Sequence, residues 1–287
     1  VAEAFGATHV FAVDLAIEPG EGNAFEGQIE VPADAGAWSP ATPWLHEVRF
    51  VLRDGAGDEL DDLIERTGLR TVEIKGDRLL LNGEPTRLMG FNRHEDHPQF
   101  GCALPVEAMA HDLALMRDLG ANAVRTSHYP NDQRFLDLCD ELGVLVWEES
   151  HARSVSFDHP LYREQIVRST SEMIAAHLNH PSIVIWGCLN ECETRTPEGA
   201  AEHGRVLNLM RGLDPSRPTT YASMYDTRDL AYAHADVVSW NRYDTWYGDQ
   251  SVAEALQGVL DWLHGDAESG GAGKPVILSE FGAGAIY

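Results

Sequence analysis

Ser182-Ile-Val-Ile-Trp-Gly-Cys-Leu-Asn-Glu191 gives the clearest indication of the fold of this 287-residue chain. It is a short apolar run, partly β-branched, that ends on an asparagine and a glutamate. Such a run is typical of a strand that is buried on both faces of a parallel sheet. Because glutamate is seldom fully buried without a partner, a carboxylate placed where such a strand surfaces indicates a functional position.

A second run repeats the arrangement, since Pro275-Val-Ile-Leu-Ser279 leads directly into Glu280. If both strands belong to one closed barrel, both carboxylates emerge on the face where barrel active sites lie. Two carboxylates that face one sugar are what glycoside hydrolysis requires. A single glutamate after a strand is more often a surface charge. The presence of two, with Asn190 before the first and aromatic residues nearby, favours catalysis.

Strands and helices alternate along most of the chain, beginning after Pro85. This alternation predicts a parallel sheet with crossover helices. The predicted strands are 88–91, 123–126, 144–147, 183–189, 219–222, 237–240 and 276–279. Seven strands, each but the last followed by a predicted helix or loop, predict an α/β fold of the TIM (β/α)8 type that lacks its last unit. We therefore predict a catalytic domain over 79–287 that is incomplete at its C-terminus.

The sequence pattern of residues 1–78 predicts β structure instead. Runs 10–15 and 44–52 have strand character, and the acidic run 58–65 is expected to be a solvated loop. A hairpin follows, with strands at 71–74 and 78–81 before the turn dipeptide Asn82-Gly83. We predict part of a β-sandwich with this hairpin over 1–78, and expect the chain to be cut at both ends.

The net charge limits which kinds of partner the protein can bind. The chain has 21 Lys and Arg and 46 Asp and Glu, which gives a net charge of −25. This balance argues against nucleic acid and anionic membranes as partners. The four cysteines form no disulfide framework, so free thiols and a cytoplasmic location are expected. A metal is not expected, although the stretch from His94 to His97 leaves one open as a lesser alternative. No cofactor is expected either.

Polar or aromatic clusters follow the predicted strands, which is the main argument for a shared active-site face. Histidines suit sugar hydroxyls, and tryptophan faces suit the apolar side of a pyranose ring. The clusters are 92–96, 125–129, 148–149, 190–191, 240–247 and Glu280.

Four of these motifs resemble glycoside hydrolase family 2, the β-galactosidase and β-glucuronidase family. They are Asn92-Arg-His-Glu-Asp96, Arg125-Thr-Ser-His-Tyr-Pro130, Ile185-Trp-Gly-Cys-Leu-Asn-Glu191 and Ser279-Glu-Phe-Gly282. The resemblance runs from about residue 36 to the end. It implies an (α/β)₈ barrel preceded by an immunoglobulin-like sandwich. Residues 1–78 resemble the C-terminal part of that sandwich.

The resemblance also implies roles for individual residues in a retaining mechanism. Glu191 is expected to be the general acid/base and Glu280 the nucleophile. Asn190 is expected to bind the sugar 2-hydroxyl. The remaining residues expected to contact the sugar or its neighbours are Arg93, Asp96, His128, Asn241, Tyr243 and Tyr247.

The substrate implied by the resemblance is a carbohydrate β-glycoside, with a β-glucuronide favoured over a β-galactoside. Asn241-Arg-Tyr-Asp-Thr-Trp-Tyr247 is similar to the β-glucuronidase signature, and Asp96 matches that branch. The pair of residues by which that branch grips the glucuronate carboxylate is expected beyond residue 287. Three alternatives stay open: a β-galactosidase of the same family, a catalytically inactive fragment, and a sugar-binding module. Family members often form oligomers, so a homo-oligomer is left open.

Overall fold

The computed structural model describes residues 1–11, 26–249, 251–265 and 269–282. Residues 12–15 of the predicted strand at 10–15 fall outside the described residues. Within the described ranges the strands form three sheets, one of seven strands and two smaller ones. In the same ranges, no helix has the length and apolar character needed to cross a bilayer.

The seven-stranded sheet contains every strand predicted after Pro85, each paired in parallel with the next along the chain. Its strands are β8 (Gly90–Arg93), β9 (Ala123–Thr126), β10 (Leu145–Glu149), β11 (Ile183–Cys188), β12 (Thr219–Ser223), β13 (Val238–Asn241) and β14 (Val276–Glu280). The helices between them are α1 (Val106–Asp118), α2 (Gln133–Leu142), α3 (Tyr162–His177), α4 (Pro197–Leu213), α5 (Asp244–Tyr247) and α6 (Val252–Gly265). Sequential parallel pairing with crossover helices is the topology of a TIM barrel, so the predicted fold class is confirmed.

The sheet curls until its two edge strands approach each other. The Nδ2 atom of Asn92 on β8 donates a hydrogen bond of 2.8 Å to the carbonyl oxygen of Ser279 on β14. These two residues lie 187 positions apart in the chain. The carboxyl ends of all seven strands therefore form one rim.

The helices begin and end where local chemistry dictates. Asp132 caps α2 by accepting a hydrogen bond from the amide of Arg134, and Gly143 ends that helix in the left-handed conformation with φ of 69°. Thr196 caps α4, which has Pro197 in its first turn. Proline suits that place because its missing amide hydrogen would have no partner there. These signals explain why α4 begins at Pro197.

A buried apolar cluster closes the amino-terminal end of the barrel. The hairpin strands β5 (Val72–Lys75) and β6 (Arg78–Leu81), followed by β7 (Glu84–Pro85), form the three-stranded sheet. Their apolar side chains pack with Trp38 against strand residues such as Leu145. Trp38 is fully buried, and its Nε1 atom donates to the carbonyl oxygen of Asp140 at 2.9 Å. The predicted hairpin is thus observed, and it covers the amino-terminal end of the barrel.

The first sheet contains the four strands β1 (Ala2–Ala4), β2 (Ala7–His9), β3 (His46–Arg53) and β4 (Glu59–Thr67). The expectation of a solvated loop at 58–65 is wrong, because most of this run lies in β4. Antiparallel pairing with β3 supplies the backbone partners that acidic composition alone did not predict. The acidic side chains stay at the surface, where Arg49 pairs with Glu59 and Asp62.

The boundary between the two predicted units at residue 78 stays a prediction. The hairpin of β5 and β6 straddles that position. Arg70, just before the hairpin, donates to the carbonyl oxygens of Pro181 and Ile183 at 3.0 and 2.9 Å. The segment that precedes the barrel is therefore tied directly to it.

Candidate active site

Polar side chains from the carboxyl ends of the barrel strands converge on Arg125, which lies on β9. Four side chains from other strand ends accept its hydrogen bonds, namely Asn92, Glu149, Asn190 and Glu280. Arg125 is 4% exposed. A buried guanidinium requires several acceptors, because it has five N–H donors and cannot lose its charge. Arg125 therefore organises the rim from its centre.

The contacts of Arg125 with the two glutamates fix their positions. Its Nε and Nη2 atoms donate to the two carboxylate oxygens of Glu149 at 2.9 and 3.1 Å. Its Nη1 atom donates to Glu280 Oε1 at 2.8 Å. Burial alone would raise the pKa of Glu149, but the charge of Arg125 and the contact with His128 outweigh it, so that pKa is lowered. Burial opposes the charge of Arg125 as well, yet Glu149 and Glu280 raise its pKa.

Glu280 ends β14 and has two hydrogen-bond donors on opposite oxygens. Tyr243 donates its hydroxyl to Oε2 at 2.7 Å, and Arg125 donates to Oε1. Burial, and then the neighbouring Glu280, raise the pKa of Tyr243 well above its ordinary value. The phenol thus keeps its proton and remains a donor at neutral pH. A carboxylate held by a cation and a phenol is fixed in position and suited to carrying negative charge.

Glu191 lies on a strained turn after β11. Leu189 and Glu191 adopt left-handed backbone conformations, with φ of 52° and 53°. The amide of Glu191 donates to the carbonyl oxygen of Ala222 at 2.9 Å, which ties the turn to β12. Non-glycine residues in this conformation store strain, and they cluster at functional sites. The turn directs Asn190 and Glu191 to the rim.

Asn241, at the end of β13, connects the two halves of the site. Its Nδ2 atom donates to Glu191 Oε1 at 3.0 Å and to Asn190 Oδ1 at 3.1 Å. Ser279 donates to its Oδ1 atom at 2.8 Å, which fixes the orientation of the amide. Asn190 in turn accepts from Arg125 at 2.7 Å. One continuous hydrogen-bond network therefore joins the regions of Glu191 and Glu280.

His128 lies between Glu149 and Glu280. Its Nδ1 atom is 2.7 Å from Glu149 Oε1, so this nitrogen carries the proton and donates. Its Nε2 atom is 3.9 Å from Glu280 Oε1. The ring of His94 packs edge-on against His128 with centroids 5.2 Å apart. Burial, followed by the charges of His128 and Arg153, lowers the pKa of His94. The two histidines share one rim, as the sequence predicted.

The structure does not bring Arg93 to this network. Its guanidinium pairs with Asp112 at 3.0 Å and Glu95 at 3.2 Å, and it lies over the ring of Phe135 at 4.0 Å. Side chains alternate between the two faces of a strand, and Asn92 faces the barrel interior. Arg93 consequently faces outward, where it meets Asp112 on α1 and Phe135 on α2.

Two other predicted residues lie at the margin of the site. Asp96 is exposed, and no hydrogen bond of its side chain is recorded within the described ranges. Tyr247 is 82% exposed, and its ring meets that of Tyr243 at a centroid distance of 5.7 Å. Trp246 beside it is 51% exposed. These positions can only meet a ligand that extends outward from the network.

Arg125, Glu149 and Asn92 were quoted in the sequence motifs without an assigned role. A signal for Arg125 was available, since it stands inside a short apolar run, Ala123-Val-Arg-Thr126. An arginine in a buried strand must be paired, and its partners must be carboxylates or amides. The sequence could not say which acidic residue that would be.

A group of three metal-ligand types, Asp137, Asp140 and His180, lies outside the barrel, away from the rim. His180 Nδ1 is 2.6 Å from Asp140 Oδ2, and Ser182 donates its amide to the other oxygen of Asp140 at 3.0 Å. Arg66 approaches Asp137 at 3.6 Å. Protein donors already meet these ligand atoms, so the group is explained by packing.

A protein-family model described as "Glycosyl hydrolases family 2, TIM barrel domain" matches residues 72–287. A β-glucuronidase from Paenibacillus borealis is 32% identical over 283 residues, which cover 94% of this chain and 47% of that protein. A β-galactosidase from Pseudoalteromonas haloplanktis is 32% identical over 253 residues, which cover 85% of this chain and 23% of that protein.

Among solved structures, a family 2 β-galacturonidase from Eisenbergiella tayi bound to galacturonate superposes with a TM-score of 0.86. It is 48% identical, and the match covers 91% of this chain and 47% of that one. The chain thus spans less than half the length of these relatives. The extent of the family match, together with these identities, shows that the chain belongs to glycoside hydrolase family 2 and resembles its β-glucuronidase-like branch.

Proposed function

We propose that the protein is a retaining exo-β-glycosidase that uses Glu280 as nucleophile and Glu191 as general acid/base. One observation carries the proposal: carboxylates at the ends of β11 and β14 share a single hydrogen-bond network through Asn241, Asn190 and Arg125. Family membership supports the reaction class, and the network supports the division of roles.

Glu280 is suited to the nucleophile's role by its donors. A nucleophilic carboxylate must be ionised and must point one oxygen at the anomeric carbon. Arg125 and Tyr243 hold its two oxygens at 2.8 and 2.7 Å, which limits rotation of the side chain. In the first step, a Glu280 oxygen forms a bond to the anomeric carbon as the bond to the aglycone oxygen breaks.

Glu191 is suited to the acid/base role because its recorded donor is the neutral amide of Asn241. In the first step Glu191 gives its proton to the departing aglycone oxygen. In the second step it takes a proton from water, and the resulting hydroxide equivalent attacks the anomeric carbon and releases Glu280. Asn190 is proposed to bind the 2-hydroxyl, a contact that strengthens in the transition state.

The proposed substrates are β-linked hexuronides. The motif from Asn241 to Tyr247 and the Paenibacillus relative favour a β-glucuronide. A β-galacturonide is a second candidate, favoured by the 48% identity with the Eisenbergiella enzyme. The Pseudoalteromonas relative keeps a neutral β-galactoside as an alternative. An inactive sugar-binding module is the remaining alternative, and it would have no need for both glutamates.

Further roles on the rim belong to the same proposal. His128, Tyr243 and Asn241 are proposed to contact the sugar from within the network. Asp96 and Tyr247 are proposed to contact the outer part of the substrate, because both are exposed. Arg93 is left out of the proposed contacts, because its guanidinium pairs with residues of the surrounding helices. A cytoplasmic location and a homo-oligomer stay predictions.

The proposal is tested by measuring the rate at which the full-length protein releases the aglycone. The substrates are a matched aryl β-glucuronide, β-galacturonide and β-galactoside. Glu280→Gln is expected to abolish turnover, and full activity in this variant would refute the nucleophile's assignment. Glu191→Ala is expected to regain activity with azide on substrates with good leaving groups, yielding a β-glycosyl azide. Absence of that product would refute the acid/base assignment. Binding of all three sugars without any release would favour the sugar-binding module.

A further inference from the structure

Arg153 lies beside the site on the segment between β10 and α3. It forms an isolated parallel β-bridge with Asn190, and the next amide, that of Ser154, donates to the Asn190 carbonyl oxygen at 3.0 Å. Its charge contributes to lowering the pKa of His94, which packs on His128. The backbone of Arg153 is therefore tied to the turn that carries Asn190, which places this residue at the edge of the rim.

The guanidinium of Arg153 is exposed and uncommitted. Within the described ranges, no hydrogen bond, ion pair or ring contact of its side chain is recorded. The other arginines of the rim are committed. Arg125 is held by Glu149 and Glu280, and Arg242 is held by Asp244 at 2.9 and 2.6 Å. Arg153 thus has free N–H donors beside the network.

An anionic sugar needs such a cation more than a neutral sugar does. The network places the carboxylates of Glu149, Glu191 and Glu280 near the substrate, and the whole chain has a net charge of −25. A hexuronate brings one more carboxylate into this field and is repelled unless a positive group faces it. Arginine matches a carboxylate in charge and in the fork geometry of its donors.

We propose that Arg153 binds the carboxylate of a hexuronate substrate and makes the site selective for acidic sugars over neutral hexoses. This inference rests on the proposed function, because it assigns a specificity contact within the same site. A hexuronate differs in charge from a hexose by its carboxylate. Arg153 gives the described part of the chain a contact for that group.

The test compares the full-length wild-type protein with Arg153→Gln and Arg153→Lys. The control is Arg168→Gln, which changes an exposed arginine on α3 that approaches Glu172 at 3.8 Å. Two readouts are measured: kcat and KM on aryl β-glucuronide and β-galacturonide, and competitive inhibition by free galacturonate and by galactose. Thermal unfolding of each variant establishes that it is folded.

Arg153→Gln is expected to lower kcat/KM on the hexuronide about 10- to 100-fold, chiefly through KM, as expected for loss of a charged hydrogen bond. Inhibition by galacturonate should weaken by a similar factor while inhibition by galactose is unchanged. Arg153→Lys should retain part of the affinity, because lysine keeps the charge without the fork. Arg168→Gln should behave like wild type.

Two results would overturn the inference while leaving the proposed function intact. In the first, Arg153→Gln binds galacturonate as well as wild type does. In the second, it loses affinity for galacturonate and galactose equally, which indicates a general effect on the site. If the wild-type protein hydrolyses neither hexuronide, the proposed substrate class fails and this inference falls with it.

Discussion

Replacing Arg125 with glutamine tests the centre of the rim most directly. Glutamine can keep one hydrogen bond, but it removes the positive charge that faces Glu149 and Glu280. Glu149 is fully enclosed by the fold, with 1% of its surface exposed. The variant therefore leaves a buried carboxylate whose remaining recorded partner is His128.

The magnitude follows from this burial. Removing one member of a buried ion pair typically costs about 3–5 kcal/mol in the free energy of unfolding, because the other charge is left without compensation. For a chain of this size, that corresponds to a decrease in Tm of roughly 6–20 °C. Loss of the donor to Glu280 should also lower kcat about 10- to 100-fold, the range expected for one charged hydrogen bond.

The pH dependence provides a second check with a definite sign. In the wild-type protein the pKa of Glu149 lies below its ordinary value of 4.5. The stability it contributes is therefore present above pH 4.5 and is lost as the pH falls through the lowered value. Arg125→Gln removes this contribution, so the stability gap between the two proteins should be widest near neutral pH and should narrow in acid.

Urea unfolding and thermal melting across this pH range provide the measurement. Arg134→Gln is the matched control, because Arg134 pairs with Asp132 on the exposed start of α2 and should give no measurable change in Tm. An Arg125→Gln protein as stable as wild type at neutral pH would refute the reasoning. So would a stability gap that widens in acid.

Two further predictions concern single contacts. Tyr243→Phe removes the hydroxyl that donates to Glu280 at 2.7 Å. It should lower kcat/KM about 10-fold with an unchanged Tm, and unchanged kinetics would contradict the contact. Burial acts to lower the pKa of His177, but the hydrogen bond and the negative charge of Glu148 together outweigh burial and raise that pKa above 6.5. The stability this provides is present below pH 6.5 and is lost as the pH rises through the raised value. His177→Gln should therefore flatten this loss in urea unfolding, and an unaltered pH profile would count against it.

The barrel could be predicted from the sequence because its signals are local. The strand 123–126 was predicted with the observed bounds, since the apolar run that indicates it lies within the strand itself. The positions of Glu191 and Glu280 followed from the same logic, because parallel strands share a rim.

The features that the sequence did not predict have a common physical origin, because each depends on contacts with residues far away in the chain. The run 58–65 was expected to be a loop because its composition is acidic, and the pairing with β3 that makes it a strand is a tertiary fact. The orientation of Arg93 depends on which face of β8 points inward. The role of Arg125 depends on Glu280, 155 residues later. Each requires knowledge of register, which residue type alone does not supply.

The left-handed turn around Asn190 lowers the stability of the fold at the position of the proposed acid/base, Glu191. For a residue with a Cβ atom this backbone conformation costs roughly 1–2 kcal/mol, a cost that glycine escapes. At Leu189 the buried side chain offsets that cost, but Glu191 gains no comparable packing because it is only partly buried. A population selected for thermal stability alone should therefore accumulate glycine at position 191. If the carboxylate at position 191 were instead retained in such a population, that retention would support the proposed acid/base role of Glu191.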